Sequence, residues 1–134
     1  KSDACEYIPI PLNVEAYNTN PAYFTRNSDN LGITVNIAGY YGIIARTLVG
    51  VSPGDAGHFF LMKNGTEIEI DHRHGDMTGS NYDDRHIHYI GYLNAKDVIS
   101  LKVFHQKATT CAYHTDPCYT KLMIIYHGIQ KKEK

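Results

Sequence analysis

Tryptophan is absent from this chain of 134 residues, and neither sign of charge prevails, the net charge being -1. Without a basic excess there is no field to draw in nucleic-acid phosphates, so nucleic acid is not expected as a partner. No apolar run approaches the roughly 18 residues a membrane span requires, so membrane insertion is not expected either. Cysteine is scarce, with three residues, and proline contributes five. No stretch carries a convincing helical period. The signatures of several enzyme classes are missing too. There is no phosphate-cradling Gly-rich loop with Lys-Ser/Thr, no His-Glu-x-x-His and no Gly-x-Ser-x-Gly.

What is present points to β-structure. The chain holds 11 tyrosines, with Ile, Val and Thr punctuated at short intervals by Gly, Asn and Asp. That pattern predicts an all-β sandwich or barrel. Strands are expected near 6–10, 22–25, 32–37, 40–49, 58–63, 67–71, 86–93, 98–105 and 119–126. Ala38-Gly39, Ser52-Pro53-Gly54-Asp55 and Asn94-Ala95-Lys96-Asp97 read as the turns between them. His72 to His86 reads as the longest polar loop. A single domain over 1–134 is expected, large enough to bury a core without disulfides or metal, with a polar tail at 129–134. The chain begins at Lys1, without methionine, and reads as a mature or excised piece.

Strands that alternate cleanly expect one wet face. In "VISLKVF", Ile99, Leu101 and Val103 share one parity while Ser100 and Lys102 take the other. The stretch "GITVNIAGYYGIIART" does something different. Tyr41, Ile43 and Ala45 cover one face, yet Tyr40 and Ile44 make the opposite face apolar as well. "YTKLMIIY" repeats the pattern, with Leu122, Ile124 and Tyr126 on one parity and Tyr119, Met123 and Ile125 on the other. A doubly apolar strand must be covered twice, by a second layer and by another layer or subunit. Amphipathic tyrosine rings suit such an interface.

Other residues suggest chemistry. Cys111 and Cys118 are spaced to permit a bridge around Asp116-Pro117, with buried or free thiols as the alternative. Asn64-Gly65-Thr66 is both an N-glycosylation sequon and the dipeptide of a type I′ hairpin turn. Two His-x-His pairs, His72/His74 and His86/His88, flank the polar loop. Residues two apart on a strand share a face, so four imidazoles could hold zinc or copper; surface histidines at strand ends are the plainer alternative. Asp76, Asn81, Asp83 and Asp84 offer oxygen ligands for calcium in the same loop, and Asp116 offers another. A cupin-like enzyme built on His-x-His would need a Glu a few residues on. After His88 no acid follows, and after His74 comes Asp76, so the chain is not expected to be an enzyme.

Four segments in order, "ITVNIAGYYGIIA", "HFFLMKNG", "YIGYLNAKDVISLKV" and "YTKLMIIY", resemble the strand motifs of C1q-type globular heads and their tumour-necrosis-factor relatives. Two positions depart from the pattern. Lys96 stands where the family usually has glycine before Asp97, and Lys121 stands near a terminal-strand glycine. The resemblance implies a ten-stranded antiparallel jelly-roll sandwich that forms a homotrimer. Tyr40, Gly42 and Ile44 would then face the threefold axis, with His86 on an axis-facing strand and Tyr119 opening the last one. It favours a Cys111–Cys118 disulfide and leaves Cys5, in a stalk-proximal segment 1–5, to bridge chains or stay free. It raises calcium as a ligand, though no cofactor is required. The implied function is a secreted, non-catalytic head that binds an extracellular protein or glycan multivalently, beyond a collagen-like or coiled-coil stalk. A structural matrix head is the alternative.

Overall fold

The computed structural model describes residues 8–12, 15, 18–51, 56–74, 81–105 and 120–129. Among them are nine strands and no helix: β1 Ile8–Pro9, β2 Phe24–Arg26, β3 Ile33–Val35, β4 Gly39–Val51, β5 Ala56–Lys63, β6 Thr66–His74, β7 Asn81–Leu93, β8 Val98–His105 and β9 Lys121–Gly128. Each corresponds to an expected strand. The resemblance implied ten strands, against nine among the described residues. One boundary is corrected. The segment from His72 to His86 is not one long loop, because β6 runs on to His74 and β7 starts at Asn81. Paired backbone satisfies its own hydrogen bonds there, which outweighs the polar composition that suggested a loop.

The strands form two layers. The larger sheet runs β2-β3-β8-β5-β6, with β1 also on β8. β1 and β3 occupy different stretches of the same β8 edge, Ile8 pairing with Val103 and Ile33 with Ile99. The smaller sheet runs β7-β4-β9. Every pairing is antiparallel. Apart from the β2–β3 and β5–β6 hairpins, successive strands from β3 onward change sheets, so each sheet is built from distant parts of the chain.

The core lies between the layers. Tyr41, Ile43 and Ala45 of β4, Ile87 and Leu93 of β7, Phe59 and Leu61 of β5, and Ile99, Leu101 and Val103 of β8 are all buried in it, with Leu122, Ile124 and Tyr126 of β9 packed against it. The parity read for β8 is the one observed: its three aliphatics are buried, and Ser100 and Lys102 are partly exposed on the other face. Full burial of a side chain of this size contributes about 1.5–3 kcal/mol. An aromatic cluster ties the layers together at one end. Phe24 meets Tyr41 edge-on at 5.8 Å, Tyr41 meets Tyr126 at 5.2 Å, and Tyr23 meets Tyr126 at 4.9 Å. At the start of β4, Gly39 is needed for close approach, since a Cβ there would lie 2.6 Å from the Tyr126 ring.

Two turns are fastened to each other. Asn64-Gly65 closes the β5–β6 hairpin with φ of 54° and 82°, the positive pair that a type I′ turn demands. The turn from β7 to β8 has Lys96 at φ 78°. Lys96 thus takes a left-handed backbone position against the steric preference of an L residue. Asn64 Nδ2 donates to Asp97 Oδ1 at 2.8 Å, and the Val98 N–H donates to Asn64 Oδ1 at 2.8 Å. The other Asp97 oxygen accepts from the Asn94 N–H at 2.8 Å.

Candidate functional site: the outward face of the small sheet

On β4, every second residue turns away from the core. Tyr40, Gly42, Ile44 and Arg46 do so, opposite the buried Tyr41, Ile43, Ala45 and Thr47. On β7 the outward set is His86, His88, Ile90 and Tyr92. On β9 it is Lys121, Met123, Ile125 and His127. Strand register stacks these residues in rows. Ile44 lies between His88 and Met123, and Gly42 between Ile90 and Ile125. Arg46 lies between His86 and Lys121, while Tyr40 pairs with Tyr92, ring to ring at 5.1 Å.

The centre of this face is apolar and uncovered. Ile90 is 75% exposed, Met123 48%, Tyr92 44%, Ile125 40% and Ile44 38%. A shallow groove of about 550 Å³ crosses it, lined among others by Gly42, Ile44, His88, Ile90, Ile125 and His127. Gly42 forms part of its floor because it has no side chain. A Cβ there would lie 2.7 Å from Nε2 of His127, whose ring lies over the glycine. Single exposed apolar side chains are ordinary, but five grouped on one sheet face mark an interaction surface. The Arg46 row makes one end polar, and the phenol groups of Tyr40 and Tyr92 bring polar tips to the other. An apolar centre inside a polar rim is the anatomy of a protein interface.

Behind the sheet, Tyr41 is fully buried and its O–H donates to the Ile37 carbonyl at 2.6 Å. Burial, with Tyr126 and Tyr23 adding to it, pushes this phenol up to about 12. Thr47 is also buried and its hydroxyl lies 2.8 Å from that of Thr120. Arg85, on the inward side of β7, is the largest fully buried side chain among the described residues.

Four of the five residues expected at a subunit interface, Tyr40, Gly42, Ile44 and His86, stand together on this face. The fifth, Tyr119, lies outside the described residues. Sequence reading did not place Arg46, Ile90, Tyr92 or His127 there. For β7 the signal was present in "HIHYIGY", where both parities are apolar from Tyr89 onward. Of the expected metal ligands, His86 and His88 are on β7 in the small sheet, while His72 and His74 are on β6 in the large one. Asp83 and Asp84 lie on β7 opposite Val49 and Leu48. Asp76 and Asp116 lie outside the described residues, as do Cys5, Cys111 and Cys118. Among the described residues no group of three or more His, Cys, Asp or Glu side chains is placed to hold a metal. The Asn64 nitrogen that a glycan would take is the one donating to Asp97. Lys121 is exposed on the outward face, at the Arg46 row.

No protein-family model and no curated protein matches the chain by sequence. Solved structures do match by shape. Murine APRIL at pH 5.0 superposes with a TM-score of 0.66 at 12% identity, over 90% of this chain and 97% of that one. Rabbit GITRL gives 0.58 at 15% identity, over 96% and 98%. Eiger TNF from S. frugiperda gives 0.58 at 10% identity, over 83% and 73%. The likeness falls on the tumour-necrosis-factor side of the expected resemblance. In architecture, the chain is a TNF-like antiparallel jelly roll.

Proposed function

We propose that the chain is an extracellular, non-catalytic recognition head that acts as a homotrimer, with the outward face of β7-β4-β9 as the contact between copies. The observation that carries this reading is the apolar centre made by Ile44, Ile90, Tyr92, Met123 and Ile125. Such a surface in water favours burial by roughly 25 cal/mol for each Å² covered. Its polar rim and aromatic content suit a protein partner, and the TNF-like fold supports a copy of the same chain as that partner. Three heads held together would bind one extracellular ligand multivalently, raising apparent affinity without new contacts. That ligand, a protein or a glycan, would engage the surface left outside the trimer.

Sedimentation equilibrium under reducing conditions at neutral to mildly alkaline pH tests the assembly. A species of three times 15.1 kDa is expected. A monomer at micromolar concentration would overturn the trimeric reading. Repeating the run with chelator separates metal-braced association from the metal-free association proposed.

A further inference from the structure

Histidines also gather on the outer face of the large sheet. On β5, Phe59 and Leu61 have the core-facing parity, so His58, Phe60 and Met62 share the opposite face. His58 is partly exposed there, and its ring stacks against that of Phe60 at 5.8 Å and 30°. Phe60 and Met62 are almost fully buried without belonging to the core between the sheets. Along this stretch β6 pairs with β5. His72 stands directly opposite His58, Ile70 opposite Phe60 and His74 opposite Ala56. Ile70 is 47% exposed, as an outer-face residue should be. His72 and His74 have its parity along β6, which places both on the face of His58. His105 of β8 is opposite Gly57 and takes the core-facing parity, so it is not one of the set.

We propose that His58, His72 and His74 form a binding site for a zinc ion. Opposed residues of an antiparallel pair have Cβ atoms about 4.5–5.5 Å apart, and diagonal ones about 7–8 Å. One histidine on β5 and a His-x-His pair on β6 therefore put three imidazole-bearing positions within reach of one ion. Three histidines are a recurring zinc ligand set, with the fourth position left to water. Ligation takes one ring nitrogen, which leaves the other for a hydrogen-bond partner. The stacked Phe60 ring limits the freedom of His58, so less order has to be imposed on binding. Lys102 opposite Phe60 and Glu67 opposite Met62 bring one charge of each sign to the same face, so affinity rests on the imidazoles and not on a surrounding field. Sequence alone grouped His72 and His74 with His86 and His88. β6 and β7 lie in different sheets, and the register supplies a third imidazole from β5 instead. This face lies across the core from the outward face of β7-β4-β9, so the site does not rest on the trimeric reading.

Calorimetric titration of the full chain with zinc chloride, at pH 7.5 in a non-coordinating buffer, tests this. Cobalt(II) spectra of the same protein distinguish imidazole from thiolate ligands. The expected result is one zinc ion per chain and no thiolate-to-cobalt charge-transfer band. Binding should weaken by about 100-fold or more in His58→Gln and in His74→Gln, since losing even a group that supports a ligand costs about 10–100-fold. The double variant His86→Gln, His88→Gln should bind as the wild type does. Near-ultraviolet circular dichroism checks that each variant is folded. Absence of zinc binding by the wild type overturns the proposal. So does wild-type affinity in a folded His58→Gln, a thiolate band from bound cobalt, or lost binding in the folded His86/His88 double variant. Nuclear magnetic resonance of the wild-type ring nitrogens decides independently of any variant: zinc should shift those of three histidines, His58 among them, and a set without His58 overturns the site. A monomeric chain that still binds one zinc through these residues supports the site while overturning the trimeric reading.

Discussion

Lys96 is a side chain at a place where the backbone asks for none. Its φ of 78° puts it in the left-handed region, which costs an L residue about 1–2 kcal/mol. Glycine relieves that strain but loses more chain entropy, about 0.5–1 kcal/mol. Lys96→Gly is therefore expected to stabilise the fold by up to about 1 kcal/mol, read as a higher urea midpoint at unchanged slope. Asp97 has the opposite expectation. It is nearly buried and accepts from both the Asn64 amide and the Asn94 N–H. Asp97→Ala leaves these donors without their partner and should cost about 2 kcal/mol in the same assay. Tyr41 gives a prediction in pH. Its phenol is held neutral up to about 12 in the fold, whereas in the unfolded chain it ionises near pH 10. The unfolded state thus releases a proton first, and stability falls between about pH 10 and 12. In Tyr41→Phe that part of the alkaline slope should be missing from denaturant midpoints measured across the window.

At the scale of the strand, two kinds of apolar residue should behave differently. Leu101, in the core on β8, should cost about 2–5 kcal/mol on change to Ala, in any assembly state. Ile90→Asp, on the open face of β7, should leave the protomer folded and abolish association, a result readable as a monomer by sedimentation and unchanged near-ultraviolet dichroism. A folded trimer from Ile90→Asp would place the subunit contact elsewhere. The strand is also the scale at which the sequence was most legible. Composition and turn signals located the nine strands, and period-two alternation assigned the inward face of β8, because burial in a sandwich follows parity directly; for β4 and β9 it showed only that both faces are apolar. The Asn64-Gly65 turn was legible because few dipeptides tolerate two positive φ values in succession. The ends of β6 and β7 were not, since their pairing is set by the partner strand and not by their own polar side chains. The alignment of His86, Arg46 and Lys121 was hidden for the same reason: it depends on the register of three distant segments. The place of Arg85 was hidden as well, because a charged residue ordinarily reads as exposed.

For the whole molecule, assembly and stability should be coupled. A trimer that forms only from folded copies gains apparent stability with concentration. Its melting temperature should rise measurably when the protein is concentrated tenfold at pH 8.0, while that of Ile90→Asp should not move. A concentration-independent wild type would mean that folding and association are separate, and would count against the outward face as an obligate contact.

The way the small sheet is assembled also sets an order in time. β4 is translated well before β7, and β7 well before β9, yet β4 is the central strand that both must pair with. Pairings between segments far apart in sequence form slowly, since a long loop must close before any contact rewards it. Ile44 therefore exists in the growing chain without Met123 and Ile125, the neighbours that complete its patch. A nascent chain has a doubly apolar strand but no finished surface to offer another copy. If copies meet through this face as proposed, adjacent chains on one message hold no finished contact until the last strand has docked. During that interval β4 has two apolar faces and unpaired edges, the condition in which incompletely folded chains are prone to aggregate.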